Sequence, residues 1–290
     1  MTMSDKTEKI GVIGAGTMGA GIAQVAAQAG FETLLYDIKQ EFIDAGLGRI
    51  RSFLKGSRER GRISAEVEQQ VLQRLRGTTK LEDFTGYSLI IEAAPEVLEL
   101  KRDIFKRLDA ICGPETLIAT NTSSFSVTAI AASAQRTDRI LGLHFFNPPP
   151  LMALVEVIQG DRTSDETIER ATALMRAIGK TPARAKDTPG FIVNRIARPF
   201  YNESLRILGD GGATVETVDR IMKEAGNFRM GPFELMDLIG NDINFAATDS
   251  LYRSFFEDAR VRPSPIQQRM VMGGNLGRKT GRGFYVYEKK

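Results

Sequence analysis

The chain of 290 residues contains one cysteine and one histidine. With Cys112 alone no intrachain disulfide can form, which is consistent with a reducing compartment. No stretch reaches the roughly 18 consecutive apolar residues of a membrane span, and the polar start MTMSDKTEK lacks the apolar middle of a secretory signal. The formal net charge of +3 is too small to indicate nucleic acid or a membrane as a partner. We therefore expect a cytoplasmic protein that binds neither.

What is present is typical of a globular protein. Hydrophobic residues make up 42% of the chain and charged residues 26%. The length predicts one large domain or two unequal ones, and no internal repeat or low-complexity tract is found. We predict no metal site.

The most informative segment is EKIGVIGAGTMGAGIAQVAAQAGFETLLYD, which has the pattern of a strand, a glycine turn, a helix and a second strand. Three glycines satisfy G-x-G-x-x-G where the first strand meets the helix: the first permits a tight turn, the second lets a pyrophosphate approach, and the third lets the helix pack on the strand. The N–H groups at the start of the helix would face the phosphates. The predicted cofactor-binding residues here are Gly14, Gly16, Thr17, Met18 and Gly19.

Asp37 ends the second strand, 18 residues after Gly19. This is close to the roughly 20 residues expected for the carboxylate that binds the adenosine ribose. A carboxylate there would repel a 2′-phosphate, so we predict NAD rather than NADP as the cofactor. The nearby Lys39 weakens that preference slightly, and the alternative is a solvated aspartate at a strand end.

A long polar region, about 40–76, follows where a simple crossover would need little more than a dozen residues. We predict an inserted helical hairpin. Its centre, RIRSFLKGSRERGR, carries five arginines and one lysine against a single glutamate. This pattern fits either a solvated helix face or a basic lip for a phosphate-bearing substrate.

Further strand-like segments then alternate with helical ones, which predicts an α/β fold with a Rossmann-like, doubly wound, mostly parallel sheet. The segments are YSLIIEAA (87–94), TLIATNTSS (116–124), RILGLHFFN (139–147) and LVEVIQG (154–160). Ligands of such sheets lie at the carboxyl ends of the strands. Asn121, Ser123 and His144 fall at such ends, so we expect the chemistry there.

The pattern changes at AKDTPGFIVNR (185–195). Thr188 and Pro189 predict the start of a long helix running through Leu208, kinked at Pro199. Everything beyond has the pattern of helices, with no strand before GFYVY. We therefore predict an NAD-binding domain over 1–186 and a smaller all-helical domain over 187–290.

His144 and Glu156 lie in two strand-like segments joined by a proline-rich turn, which would bring their side chains together. Histidine can take a proton near neutral pH, and a carboxylate on its other nitrogen would fix the tautomer and stabilise the imidazolium. Each residue alone has a plainer explanation, a buried core histidine or a surface glutamate. Together, downstream of a dinucleotide site, they predict the base of a dehydrogenase.

The order and spacing of eight motifs resemble the short-chain L-3-hydroxyacyl-CoA dehydrogenases, the family that includes 3-hydroxybutyryl-CoA dehydrogenases. The motifs are GAGTMGAGIAQVAA, IEAAPE, NTSS, LHFFNP, LVEV, KDTPGFIVNR, MGPFELMDLIG and GRKTGRGFY. The resemblance runs from about residue 8 to residue 287. It implies NAD-dependent interconversion of L-3-hydroxyacyl-CoA and 3-ketoacyl-CoA. Family members fused to a hydratase are longer, so we expect a stand-alone dehydrogenase.

The resemblance also implies roles for four residues. His144 would be the general base for the 3-hydroxyl and Glu156 would orient it. Ser123 and Asn194 would hold the 3-oxygen and the neighbouring carbonyl of the substrate. Taken alone, Ser123 fits a helix cap equally well, and Asn194 fits a purely structural residue at the start of a helix.

Other matching positions surround the cofactor. Asn121 and Asn147 belong to NTSS and HFFNP, and Asn147 would organise the site. Glu96 and Lys101 of PEVLELK resemble positions near the cofactor, where the lysine would meet ribose or phosphate. As charges five residues apart on a helix, these two also fit ordinary surface residues.

In the family that the chain resembles, the inserted hairpin borders the CoA site. Lys55 and Arg58 are therefore the predicted contacts of the CoA phosphates. The helical C-terminal segment resembles the family's dimerisation domain, and this resemblance implies a homodimer formed through it. Its apolar content is of the kind that a partner would cover, with an intramolecular core as the alternative.

Three functions remain open at this point: the acyl-CoA dehydrogenase, a dehydrogenase of a free hydroxy or sugar acid, and a non-catalytic nucleotide-binding structural protein. Pro149 and Ala153 depart from the family pattern beside the base. They leave 3-hydroxyadipyl-CoA and 3-hydroxybutyryl-CoA both open as substrates.

Overall fold

The computed structural model describes residues 8–288. The chain divides into two compact units, one ending at Thr188 and the other beginning at Pro189. This division lies two residues beyond the boundary expected from the sequence.

The first unit contains an eight-stranded sheet with the order β3-β2-β1-β4-β5-β6-β7-β8. Its strands are β1 (Lys9–Ile13), β2 (Glu32–Tyr36), β3 (Leu75–Thr78), β4 (Leu89–Glu92), β5 (Leu117–Thr120), β6 (Ile140–Phe145), β7 (Leu154–Gln159) and β8 (Thr181–Lys186). The first six strands are parallel, β7 is antiparallel to β6, and β8 is parallel to β7. The predicted mostly parallel, doubly wound sheet is confirmed.

Six helices belong to this unit: α1 (Thr17–Gln28), α2 (Gln40–Glu59), α3 (Ala65–Gln73), α4 (Leu98–Ile111), α5 (Val127–Ala131) and α6 (Asp165–Ala177). Successive strand residues point to opposite faces of the sheet. In β4, Leu89 and Ile91 therefore join the core that includes α1, α2 and α6, whereas Ile90 joins the core that includes α4 and α5. Helices thus cover both faces, and strand ends meet at a common edge.

Two strands were not predicted. The insertion expected over 40–76 is a pair of helices, but Leu75 and Arg76 at its end belong to β3, which pairs with β2. The sequence TPARAK forms β8 although its six residues are all either exposed or half-buried. Both are edge strands of low apolar content, so their partners rather than their own patterns determine them.

The second unit is helical, with α7 (Val193–Gly209), α8 (Val215–Glu224), α9 (Pro232–Ile239), α10 (Asn241–Ser254) and α11 (Pro265–Met272). Within residues 189–288, the expected strand at GFYVY is reduced to isolated bridges between Gly277 and Arg282 and between Arg282 and Val286. In the part of the chain that is described, no helix is long and apolar enough to cross a lipid bilayer.

The predicted helix start at Thr188 and Pro189 is wrong, because α7 begins at Val193. Gly190 and Phe191 have positive φ angles of 73° and 48°. A helix cannot pass through this left-handed backbone. The cap and proline signals of the sequence therefore precede a turn rather than the first turn of the helix.

Candidate active site

The glycine turn between β1 and α1 fits a pyrophosphate. A Cβ on Gly14, at φ +95°, would lie 2.6 Å from the Ala93 carbonyl oxygen, and one on Gly19 would lie 1.7 Å from that of Gly14. A Cβ on Gly16 would meet no atom within 4 Å. Gly16 also precedes α1 without a side-chain cap, and the first turn, starting with Thr17 and Met18, has no acidic residue. The turn is therefore tightly packed on its inner side and open, with uncapped N–H donors, where an anion would bind.

Asp37 lies beside this turn at the end of β2. Its carboxylate accepts hydrogen bonds from the N–H groups of Ala15, at 2.8 Å, and Ile38, at 2.7 Å. Arg49 of α2 donates to the Ala15 carbonyl at 2.5 Å. The aspartate is thus fixed against the glycine turn and retains acceptor capacity for ribose hydroxyls. Lys39 is exposed and pairs with Glu41 at 3.2 Å.

A buried ion pair lies at the end of the neighbouring strand β4. Lys101 is only 1% exposed, and its Nζ lies 2.7 Å from Glu92, which is fully buried. Glu92 also accepts from the Ala94 N–H and the Thr120 hydroxyl, each at 2.7 Å. The alternative that Lys101 is a surface residue is therefore wrong. Glu92 was not predicted as a site residue, although an acidic residue ending the apolar run LIIE was a usable signal.

Glu96 connects this pair to the loop after β5. It lies 3.1 Å from Lys101 and accepts from the hydroxyls of Thr122 and Ser124. Burial alone would raise the pKa of the Glu96 carboxyl, but the Lys101 ammonium and the two hydroxyls hold that pKa below its usual value. The glutamate is thus kept ionised at the strand edge.

The same loop carries Asn121 and Ser123. Asn121 donates its N–H to the Glu92 carbonyl at 2.7 Å, and its side-chain oxygen accepts from the Phe145 N–H at 2.8 Å. Asn121 therefore joins the ends of three adjacent strands next to His144. Ser123 is exposed two residues farther on.

His144 and Glu156 are directly opposite each other in the antiparallel pair β6–β7. His144 Nδ1 lies 2.6 Å from a Glu156 carboxylate oxygen, with the histidine 6% exposed and the glutamate fully buried. Because an ionised carboxylate only accepts, it favours the tautomer with hydrogen on Nδ1 and the lone pair on Nε2. That is the arrangement a general base needs.

The turn joining these strands is held from two sides. It starts at the cis peptide between Asn147, which is exposed, and Pro148. Lys180 donates to the carbonyls of Pro149, at 2.6 Å, and Met152, at 2.8 Å, and burial lowers the pKa of its ammonium. A Cβ on Gly21 of α1 would lie 2.8 Å from the Pro149 ring. The turn therefore packs directly on the helix that follows the glycine motif. Nothing in the sequence pattern singled out Lys180.

The predicted CoA contacts lie on α2 and differ in their surroundings. The Lys55 side chain is 65% exposed and lies 3.9 Å from Glu59. Arg58 Nε lies 2.5 Å from Glu68 of α3, whose side chain is 18% exposed. Arg58 thus ties the two helices of the insertion together, whereas Lys55 extends into solvent.

Asn194 belongs to the second unit. It is half-buried in the first turn of α7, and its carbonyl accepts from Arg198 Nε at 3.2 Å.

The doubly wound sheet, the glycine turn with Asp37 and the buried His144–Glu156 pair are the features of a nucleotide-dependent dehydrogenase. Residues 9–188 match the family model described as 3-hydroxyacyl-CoA dehydrogenase, NAD binding domain, and residues 190–287 match 3-hydroxyacyl-CoA dehydrogenase, C-terminal domain. The chain belongs to the 3-hydroxyacyl-CoA dehydrogenase family, whose members are NAD-dependent oxidoreductases. The resemblance and the cofactor predicted from the sequence are confirmed.

Individual relatives carry two different names. A 3-hydroxyadipyl-CoA dehydrogenase of Escherichia coli K12 is 46% identical over 98% of this chain, which spans only 60% of that protein. A probable 3-hydroxybutyryl-CoA dehydrogenase of Deinococcus radiodurans is 46% identical over 96% of this chain and 100% of the relative. A crystal structure described as 3-hydroxybutyryl-CoA dehydrogenase from Escherichia coli K12 has a TM-score of 0.95 and 45% identity, covering 98% of this chain and 61% of that one.

Proposed function

We propose that the chain interconverts short-chain L-3-hydroxyacyl-CoA and 3-ketoacyl-CoA with NAD, with 3-hydroxybutyryl-CoA as the reference substrate. The observation that carries this proposal is the buried 2.6 Å contact between His144 Nδ1 and Glu156 at the strand edge of an NAD-binding domain. A base at this edge lies where ligands of doubly wound sheets bind.

His144 is the proposed general base. Its Nε2 takes the proton of the 3-hydroxyl during oxidation and returns it during reduction. Glu156 holds the ring in the reactive tautomer and stabilises the imidazolium that forms. Bound NAD supplies the acceptor for the hydride that leaves C3. Burial of the pair strengthens its electrostatic interaction and keeps water from competing for it.

The cofactor is assigned to the glycine turn and its neighbours. The N–H groups at Gly16, Thr17 and Met18 would receive the pyrophosphate, and Asp37 the adenosine ribose. Lys101 of α4 and Glu96 of the loop after β4 are further proposed contacts of the cofactor, and Glu92 holds the lysine.

The remaining assignments concern the substrate and its surroundings. Ser123 and Asn194 are proposed to hold the 3-oxygen and the neighbouring carbonyl. Asn121 would keep the strand end beside His144 in place through Phe145, and Asn147 would orient the turn that follows. Lys55 is the favoured contact for the CoA phosphates, since Arg58 is already paired with Glu68.

The test is NADH oxidation with acetoacetyl-CoA, with free acetoacetate and the His144→Gln variant measured beside it. We expect rapid oxidation only with the thioester, and its loss in the variant. Turnover of free acetoacetate instead would favour a dehydrogenase of free hydroxy acids. Binding of NADH without turnover of either compound would favour a structural nucleotide-binding protein.

Two expectations from the sequence complete the proposal. A homodimer through the helical unit predicts a species near twice 32.0 kDa in light scattering. A cytoplasmic location is expected by analogy with bacterial relatives, and a relative from Homo sapiens at 39% identity is named a mitochondrial enzyme. Fractionation of the source cells would test this location.

A further inference from the structure

The helical unit buries an arginine without an opposite charge. Arg198 on α7 is 3% exposed. Its Nε donates to the Asn194 carbonyl at 3.2 Å, and its Nη1 donates to the Asn244 carbonyl at 3.0 Å and the Thr248 hydroxyl at 2.9 Å. Among residues 8–288, no carboxylate forms an ion pair with it, and its Nη2 donates to no protein acceptor.

The acidic residues of α7 and α10 are already paired with other cations. These ion pairs are Glu203–Arg206 at 3.1 Å, Asp242–Lys279 at 2.6 Å and Asp249–Arg253 at 2.9 Å. Burial lowers the pKa of the Arg198 guanidinium, as expected for a charge that lacks a counter-ion. A buried cation of this kind is costly unless an anion compensates it.

A second observation lies one helical turn farther along α7. Asn202 is 3% exposed, and neither its Nδ2 nor its Oδ1 has a hydrogen-bond partner among residues 8–288. The Nδ2 of Asn244, whose carbonyl accepts from Arg198, is likewise unpartnered. Buried amides without partners are rare in native proteins. Asn202, one turn along the same helix, and Asn244, which is bonded to Arg198 through its carbonyl, thus each have an unused donor, as Arg198 does at Nη2.

The buried face of α7 includes two polar residues beside the apolar core residues Tyr201 and Leu205. Arg198 and Asn202 occupy buried positions, whereas Ile196 is 69% exposed and Ile207 is 38% exposed. Polar residues at core positions are unfavourable for stability unless their donors are satisfied. A ligand with a terminal anion would satisfy them.

The spacing along the helix suggests which anion. Asn194, the proposed contact of the reacting end of the substrate, precedes Arg198 by four residues, which is about 6 Å along a helix axis. In a six-carbon acyl group, three single bonds of about 1.5 Å separate C3 from the carbon at the chain end. An arginine one turn beyond Asn194 is therefore suitably spaced for a group at the end of a short acyl chain.

We propose that Arg198, assisted by Asn202, is a specificity subsite for the terminal carboxylate of an L-3-hydroxyacyl-CoA whose acyl chain ends in a carboxyl group. This inference rests on the proposed function and narrows its substrate class. A planar guanidinium binds carboxylate through charge-assisted hydrogen bonds, and a methyl group at the chain end would leave the same donors unpaired. The subsite would thus both favour carboxylated chains and disfavour plain ones.

The experiment compares two substrates of equal chain length, 3-hydroxyadipyl-CoA and 3-hydroxyhexanoyl-CoA, with 3-hydroxybutyryl-CoA as the reference. For the wild-type enzyme we expect kcat/KM to be at least about 30-fold higher for the adipyl than for the hexanoyl substrate. Equal values, or a preference for the hexanoyl chain, would overturn the subsite while leaving the proposed function intact. If NAD-dependent oxidation fails with all three, the proposed function itself is wrong.

Variants assign the preference to the residues. In Arg198→Met the adipyl-to-hexanoyl ratio should fall to about one, whereas Arg206→Gln, an exposed arginine of the same helix, should keep the wild-type ratio. If Arg198→Met does not fold, Asn202→Ala decides, because it removes an amide that bonds to no protein group. An adipyl-to-hexanoyl ratio reduced several-fold in Asn202→Ala supports the subsite. An unaltered ratio in Arg198→Met, or in Asn202→Ala where Arg198→Met does not fold, would overturn it.

Discussion

The two units differ in how most of their buried charges are compensated. In the NAD-binding unit, two buried cations lie against carboxylates, Lys101 against Glu92 at 2.7 Å and Arg139 against Asp109 at 2.8 Å, whereas Lys180 donates to backbone carbonyls. His144 likewise lies against Glu156 at 2.6 Å. In the helical unit, buried ions are bonded mainly to neutral groups.

Two aspartates illustrate the second arrangement. Asp219 accepts from the N–H groups of Phe233 and Glu234 and from the Tyr285 hydroxyl. Asp237 accepts from the Phe284 and Tyr285 N–H groups and from the Tyr287 hydroxyl and the Asn241 amide. Lys101–Glu92 and His144–Glu156 fix side chains at the strand edge where chemistry is proposed, whereas neutral donors let single anions organise loops. Arg198 follows the second arrangement through Nε and Nη1, which donate to neutral oxygens. Its Nη2 donates to no acceptor among residues 8–288, and this donor is the one assigned to a ligand.

The largest expected effect comes from breaking the pair that would do chemistry. In His144→Gln the amide retains polarity but cannot accept a proton, so we expect kcat to fall by about 1,000-fold. Glu156→Gln should lower kcat less, by about 30-fold, because the base remains and only its orientation and stabilisation are lost. Steady-state kinetics with acetoacetyl-CoA and NADH measures both, with thermal melts to show that the variants fold. More than a tenth of wild-type activity in His144→Gln would remove the histidine from its proposed role.

The next effect is on stability. Lys101→Met leaves Glu92 buried without its cation, so we expect a loss of about 3–5 kcal/mol in the free energy of unfolding. Lys106→Met, on the exposed face of the same helix, is the control and should change it by less than about 0.5 kcal/mol. The double variant Lys101→Met/Glu92→Gln should recover much of the loss, because the fully buried carboxylate is then gone and the Glu96 carboxylate, which also loses its cation, is 38% exposed. Urea denaturation measures all three, and an equal loss in the single and double variants would argue against charge pairing as the cause.

A smaller expected effect is on the pH dependence of stability, which should differ between a buried carboxylate of each unit. Burial opposes ionisation of Asp109, but Arg139 and the N–H groups of Gln135 and Arg136 bring its pKa below the ordinary value of 3.8. Its ionised form therefore stabilises the fold above that value, and this contribution is lost as pH falls through the folded-state pKa. For Asp219, burial prevails and raises the pKa above 3.8. The contribution from that shift is present below 3.8 and is lost as pH rises through the raised folded-state pKa.

Asp109→Asn should therefore be most destabilising near pH 7 and become less so toward pH 3, whereas Asp219→Asn should show the opposite slope. Denaturation midpoints between about pH 3 and pH 7 check this. Parallel slopes for the two variants would contradict the contrast between the units.

The features of the fold and site that could be predicted from the sequence all depend on residues close together in the chain. The glycine turn with Asp37 follows from backbone geometry within one strand-helix-strand segment. The opposition of His144 and Glu156 follows from two strands joined by one short turn. In each case the residues that meet are close in sequence, so spacing alone predicts the contact.

The features that could not be predicted depend on contacts between residues far apart in the chain or on backbone conformation. Glu92 ends an apolar run and Lys180 has no such signal, but for both only the fold shows the partner: Glu92 holds Lys101, and Lys180 holds the turn after His144. The start of α7 was misplaced because Gly190 and Phe191 adopt left-handed backbone that no cap signal predicts. Arg198 has the sequence context of a surface residue on an amphipathic helix, and its burial becomes visible only when α10 is packed against it.

The smallest expected effect concerns charges that are not buried in either unit. Lys55 is exposed, and its one carboxylate neighbour, Glu59, lies at the long distance of 3.9 Å, so its ammonium can turn toward a CoA phosphate at little cost. Arg58 would have to give up its 2.5 Å contact with Glu68. We expect Lys55→Gln to raise KM for acetoacetyl-CoA about three-fold and Arg58→Gln to raise it less, with KM for NADH unchanged in both. Because exposed charges are screened by salt, the difference should shrink between about 0.05 and 0.5 M NaCl. Arg51→Gln, an exposed change on the same helix, controls for net charge: an equal rise in KM there would mean that α2 attracts CoA by its overall field and that no single residue contacts it.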